Sequence, residues 1–120
     1  MTAAPLVSVV IPTYNSGEMA VRAVRSVLAQ TWQPVECVVS DDGSDDDTLA
    51  RLRPFGDRVR LTTSEHRGIP FARNAGIRAA SGAFVAFLDS DDEWMPDKLA
   101  RCVPRLLADP AAGVVYTRVL

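Results

Sequence analysis

The sequence predicts an α/β fold, a mostly parallel sheet with helices on both faces. Three observations lead there. Apolar runs of strand length alternate with segments of helical periodicity four times along the chain, the pattern of strands joined by right-handed crossovers. The first such run, residues 6–11, is almost continuously apolar and β-branched, which suits a strand buried on both faces. A later run, residues 84–88, breaks off abruptly into the carboxylates Asp89, Asp91 and Asp92, as a buried strand does where it reaches solvent.

Taken in order, Leu6-Val7-Ser8-Val9-Val10-Ile11 is expected to be the central strand, halted by Pro12. Ser16 then opens a helix over residues 17 to 31, with Ala20, Val24, Val27 and Leu28 on its buried face and Glu18, Arg22 and Arg25 opposite. Pro34 closes the connection, and residues 35–40 form the second strand. In the acidic run that follows, Ser44 and Asp47 match a capping box for a short helix. Asp45, Asp46 and Asp47 would fall in its first turn, where negative charge complements the helix dipole. Asp41 and Asp42 precede that turn and need another role. Residues 58–62 alternate Arg and Thr with Val and Leu, as a sheet-edge strand does.

A polar loop through His66 and Gly68 comes next, and His66, the sole histidine, reads there as a solvated side chain. The helix predicted over residues 69–80 tolerates Pro70 in its first turn, stops at Gly82, and can lie close to the sheet because Ala72, Ala75, Gly76, Ala79 and Ala80 are small. Beyond the acid-tipped strand, a helix over residues 96–108 would bury Leu99, Val103, Leu106 and Leu107 and kink at Pro104. Residues 113–120, centred on Val114-Val115-Tyr116, read as a fifth strand at an open sheet edge, where self-association into a homodimer is favoured. Trp32 and Trp94 are expected to pack helices against the sheet.

With 120 residues, 48% hydrophobic and 23% charged, the chain can bury one core, so residues 1–120 are expected to form a single domain. A formal net charge of −2 without a Lys/Arg cluster argues against nucleic acid as a partner. No apolar run is long enough to span a membrane, and Met1-Thr2-Ala3-Ala4-Pro5 lacks the features of a signal peptide. The expected location is cytoplasmic, with a peripheral place at the inner face of the membrane open to it. Cys37 in a strand-like run and Cys102 in a helix-like run read as reduced structural thiols.

Consecutive parallel strands present their carboxyl ends on one edge of an open sheet, and ligands bind beyond that edge. Pro12-Thr13-Tyr14-Asn15, Asp41-Asp42 and Asp89-Ser90-Asp91 should therefore converge. If extended geometry persists to Asp91, the period of two sets Asp89 and Asp91 on one side, where two hard oxygen ligands suit Mg²⁺ or Mn²⁺. A solvated acidic turn capping the next helix is the competing reading. Neither G-x-G-x-x-G nor G-x-x-x-x-G-K-[ST] occurs, so phosphate charge would have to be met by a metal rather than by a glycine cradle. An aromatic ring, hydrogen-bonding carboxylates and a metal-binding pair together suit a nucleoside diphosphate.

Four segments in this order, residues 7–15 (VSVVIPTYN), 41–44 (DDGS), 72–77 (ARNAGI) and 87–92 (FLDSDD), resemble the nucleotide-binding half of family 2 glycosyltransferases with the Rossmann-like GT-A fold. The resemblance implies that Pro12 and Tyr14 flank the uracil of a UDP-sugar donor, that Asp42 accepts its imide hydrogen, and that Arg73 steadies the nucleotide. It also implies that Asp89 holds the ribose side and Asp91 ligates Mn²⁺ or Mg²⁺. The implied reaction is inverting transfer of the sugar to a hydroxyl of a saccharide or other acceptor. The general base for that step, and the acceptor site, are expected downstream of this chain, which reads as stopping after the fifth strand. Alternative roles stay open: Tyr14 as a boundary aromatic, Asp42 as the start of an Asx turn, Arg73 as an ion-pair partner of the acids. So does a non-catalytic nucleotide-binding or assembly module. A phosphotransfer protein is disfavoured, since Asp92 stands where the dehalogenase-like phosphatase motif continues with Thr or Val.

Overall fold

The most apolar strand takes the interior of the sheet. In the computed structural model, which describes residues 4–115, β1 (Val7–Thr13) lies between β2 (Val35–Asp41) and β4 (Phe84–Phe87), and β3 (Val59–Thr63) flanks β2. All three pairings are parallel. Every residue of β1 is buried, as its unbroken apolar pattern requires, and β3 with its exposed Arg60 is an edge strand.

Pro12 does not halt β1. Asp42 N–H donates to the Thr13 carbonyl and Leu88 N–H to the Val10 carbonyl, so odd-numbered residues of β1 face β2 and even-numbered ones face β4. The N–H that Pro12 lacks would point toward β4, beyond the last pair Val10↔Phe87. No ladder bond is lost there, and β1 runs on two residues further than expected.

Helices cover both faces. On one, α1 (Gly17–Leu28) buries Ala20, Val21, Ala23, Val24 and Val27 in a core with Val7, Val9, Ile11, Cys37 and Val39. Each of the valines contributes about 1.5–3 kcal/mol by leaving water. Leu52 of α2 (Thr48–Leu52) and Leu99 and Val103 of α4 (Lys98–Ala108) join the same core, with Trp32 and Trp94 packed against it. Gln30, 4% exposed, ties the end of α1 to the start of α4: its amide donates to Met95 O and its carbonyl accepts Leu99 N–H. On the opposite face α3 (Ile69–Ala79) presses Ala72 and Gly76 onto the sheet. A Cβ at Gly76 would stand 2.3 Å from Val10 Cγ1, so the small-residue face is a packing requirement.

Several expectations are corrected. α3 ends at Ala79, before Gly82, whose role is close approach: a Cβ there would sit 2.7 Å from the Ser8 nitrogen. Leu107 of α4 is 52% exposed rather than buried, and α4 begins at Lys98 rather than at Pro96. The capping box is absent, because Ser44 Oγ donates to Asp41 Oδ1 at 2.5 Å while Asp46 Oδ1 accepts from Thr48 N–H at 2.9 Å. Asp45, Asp46 and Asp47 therefore precede α2 rather than occupy its first turn. Among the described residues there are four strands. Val114 and Val115 lie outside any strand, and Tyr116 to Leu120 of the expected fifth strand fall outside the described residues.

Candidate functional site

Loops from the carboxyl ends of β1, β2, β3 and β4 meet at one edge of the sheet. After β1, Asn15 turns the chain at φ 47° and exchanges hydrogen bonds with Asp45, its side-chain amide donating to Asp45 Oδ1 and its side-chain oxygen accepting Asp45 N–H. Ser16 Oγ bonds Ser90 Oγ at 2.7 Å, fastening the β1–α1 turn to the acidic turn after β4. Between these turns Pro12, Tyr14, Asn15, Ser16, Met19, Ile69, Arg73, Asp89, Ser90 and Asp91 line a cleft of about 400 Å³. A larger cleft of about 520 Å³ beside the last turn of α1 holds Arg51 and Arg58, but these already engage Glu18 and Asp47 and the Phe55 ring, respectively.

Five of the six residues that the sequence singles out, Pro12, Tyr14, Arg73, Asp89 and Asp91, line the smaller cleft. The strand period does not bring Asp89 and Asp91 together, because β4 ends at Phe87. A turn closed by Asp92 N–H on Asp89 O does so instead. The side-chain oxygens of Asp89, Asp91 and Asp92 lie within 4.8 Å of one another, all three residues exposed, with Arg73 Nη2 at 3.2 Å from Asp89 Oδ1. Three hard carboxylate donors at that spacing, open to water, fit a divalent cation that retains part of its hydration shell. Arg73 offsets part of their mutual repulsion.

Asp42 stands behind this cleft. Its carboxylate is 1% exposed and accepts Arg67 N–H on Oδ1 at 2.7 Å and Gly68 N–H on Oδ2 at 2.9 Å. Burial alone would raise its pKa. The two backbone donors and His66 outweigh that and hold the group below the usual carboxylate range. The buried carboxylate thereby tethers the chain immediately before α3, where its charge also suits the helix N-terminus, and so fixes the helix that carries Arg73. Asp41 starts the Asx turn, its Oδ2 accepting the N–H groups of Gly43 and Ser44.

His66 is the residue that sequence reasoning missed. Its ring stacks on Tyr14 with centroids 4.0 Å apart and planes 20° from parallel, and its Nδ1 lies 2.9 Å from Asp42 Oδ2. Both atoms facing Nδ1, that oxygen and Asp42 O at 3.2 Å, are acceptors, so Nδ1 carries a proton. The signal was available: the edge rule applied to β1, β2 and β4 applies to β3, whose outgoing loop contains His66.

Residues 8–120 match the model of glycosyl transferase family 2. The chain belongs to that family. It is 41% identical over 104 residues to the Escherichia coli UDP-Glc:alpha-D-GlcNAc-diphosphoundecaprenol beta-1,3-glucosyltransferase WfgD, covering 85% of this chain and 41% of that protein. In three dimensions it resembles the mannosyltransferase PcManGT from Pyrobaculum calidifontis in complex with GDP-Man and Mn²⁺, with a TM-score of 0.82 and 33% identity over 93% of this chain and 35% of the other. It also resembles S. aureus TarS 1–349 in complex with UDP-GlcNAc, with a TM-score of 0.74 and 30% identity over 85% of this chain and 31% of the other. The fold is thus that of the GT-A glycosyltransferases, and the exposed acidic turn carries a D-x-D pattern. This family 2 chain spans less than half the length of curated relatives such as WfgD that it matches.

Proposed function

We propose that this chain forms a single donor-binding domain that holds a UDP-sugar with Mn²⁺ or Mg²⁺ for inverting transfer of the sugar to a hydroxyl of a saccharide or similar acceptor. The observation that carries this reading is the cleft that joins Tyr14 and Pro12 at one end to Arg73, Asp89 and Asp91 at the other. The base would lie on Tyr14 beside Pro12, with Asp42 accepting the imide hydrogen. Asp89 would meet the ribose, and Arg73 would steady the diphosphate. Asp91 would hold the metal, with Asp89 and Asp92 near enough to assist. When bound, the cation supplies Lewis-acid stabilisation of the leaving diphosphate.

Transfer also needs a general base to take the acceptor hydroxyl's proton. The acids after the DxD turn do not fill that role in this reading: Asp97 is paired with Arg101, and Glu93 faces Arg22 at 3.9 Å. In this reading no general base is assigned among residues 4–115. UDP is modestly preferred over GDP in this reading, since an acceptor at Asp42 suits the uracil imide and Tyr14 offers a small stacking platform; guanine also has ring N–H donors, and one structural neighbour carries GDP-Man. A cytoplasmic position, peripheral at the inner membrane face, would suit a lipid-linked acceptor of the kind named for WfgD. Among the described residues no helix is long and apolar enough to cross a membrane.

Calorimetric titration with UDP, with and without Mn²⁺, tests the reading. Asp91→Asn should abolish the metal-dependent part of binding, since an exposed turn carboxylate contributes charge rather than packing, and leave the circular dichroism spectrum unchanged. Undiminished Mn²⁺-dependent affinity in the folded variant would remove Asp91 from the site.

A further inference from the structure

The imidazole of His66 makes the contacts expected of a nucleobase at this site. It is a flat aromatic ring lying on Tyr14 at 4.0 Å, with a ring N–H directed at Asp42 Oδ2. While it sits there, Asp42 has no surface to offer, since its side chain is 1% exposed and Oδ1 and Oδ2 already receive Arg67 N–H and Gly68 N–H. An incoming imide N–H cannot reach the carboxylate past the ring. The same ring covers one face of Tyr14, leaving that face closed to a base.

The structure also shows why the ring can leave. The His66 side chain is 56% exposed and belongs to the loop between β3 and α3. The backbone of that loop is held independently of the ring, by Asp42 through Arg67 and Gly68 and by close approach to Gly43, where a Cβ would stand 2.7 Å from the His66 nitrogen. None of these backbone contacts involves the ring, so moving the side chain does not break them.

We propose that His66 is a built-in occupant of the base subsite, closing it in the free protein and displaced from Tyr14 and Asp42 when a uridine nucleotide binds. This rests on the assignment of Tyr14 and Asp42 to the base. The closed form lowers the apparent affinity by the fraction of molecules in which the ring has swung out. An exposed ring stack with one hydrogen bond sets that fraction at roughly one in five to one in twenty. His66→Ala should therefore tighten UDP binding by about 5- to 20-fold. Binding of inorganic pyrophosphate with Mg²⁺, which has no base, should be the same in both proteins.

Because the chain has one histidine, its imidazole C–H signals in a ¹H–¹³C spectrum report this residue alone. In the free protein they should lie upfield under the Tyr14 ring current and lose that shift in Tyr14→Leu. Saturation with UDP and Mg²⁺ should move them to free-imidazole positions, and pyrophosphate with Mg²⁺ should leave them in place. A weaker UDP affinity in His66→Ala, or imidazole signals that stay or move further upfield as UDP binds, would show that the ring clamps the base and overturn the displacement. If UDP binds no better than pyrophosphate in wild type and in His66→Ala alike, the base subsite itself is misassigned and the inference falls with it.

Discussion

Replacing Asp42 with Asn separates what this carboxylate does for the fold from what it does for a ligand. The change keeps shape and burial but removes the charge and turns one oxygen into a donor. Of the two backbone N–H groups it serves, at 2.7 and 2.9 Å, one would retain a neutral acceptor and the other would face an NH₂. Weakening one charge-assisted bond costs about 1 kcal/mol, and leaving the second buried donor unpaired costs about 1–3 kcal/mol, which gives roughly 2–4 kcal/mol in all. For a domain of this size that is a fall in Tm on the order of 10 °C.

The pH dependence has a definite sign. Asp42 is held below its ordinary value in the folded chain, so its contribution is complete above the unfolded carboxylate pKa and is lost as pH falls through the folded one. The stability gap between wild type and Asp42→Asn should therefore narrow below about pH 4. Thermal and urea melts from pH 7 downward measure it, and amide exchange at Arg67 and Gly68 locates it, since those two protons should lose protection first. A variant within about 0.5 kcal/mol of wild type, with both amides still protected, would refute the tether.

Three further outcomes are expected. Gly76→Ala should destabilise by about 1–3 kcal/mol, because its Cβ meets Val10 Cγ1 at 2.3 Å, and Val10→Ala should recover part of that loss, so that a double-mutant cycle shows coupling of at least 0.5 kcal/mol. Iodoacetamide on the native chain should label Cys102, which is partly exposed, well before Cys37, which is buried with its thiol pushed up to about 12; mass spectrometry of the digest decides between them. In competition calorimetry with Mn²⁺, UDP should bind modestly more tightly than GDP, and equal or tighter GDP binding would reassign the base from uracil to another.

The fold was legible where pattern and burial coincide. The β-branched run of β1 could only be an interior strand, the Arg-bearing alternation of β3 fitted an edge, and alternating strands and helices gave parallel pairing. From that alone the meeting of the strand ends followed. The acidic run after β2 was read wrongly because Ser44 and Asp47 satisfied a local capping rule, while the buried Asp41 competed for Ser44 and won: it accepts both Ser44 N–H and Ser44 Oγ. Periodicity likewise failed for Asp89 and Asp91. β4 pairs with β1 only as far as Phe87, and beyond it a backbone turn, which leaves no mark in an apolar pattern, sets the geometry.

Burial sorts the acids at this edge into two kinds. Asp41 and Asp42, 1% and 0% exposed, each accept two backbone N–H groups and so hold the loops of residues 43–44 and 67–68. Their negative charge is offset by donors that fold with the chain, and losing it would unfasten those loops. Asp89, Asp91 and Asp92 are exposed, and Asp91 has no side-chain partner among the described residues. Three carboxylates held within 4.8 Å repel one another, and water screens that repulsion only in part. A divalent cation removes it, whereas the same cation offered to Asp41 or Asp42 would have to displace backbone donors from a buried oxygen. The sequence motif D-x-D does not distinguish these cases, since Asp45 and Asp47 share its spacing. Exposure does: Asp45 is bonded to Asn15 and Asp47 to Arg51, which leaves the turn after β4 as the place where bound charge gains most.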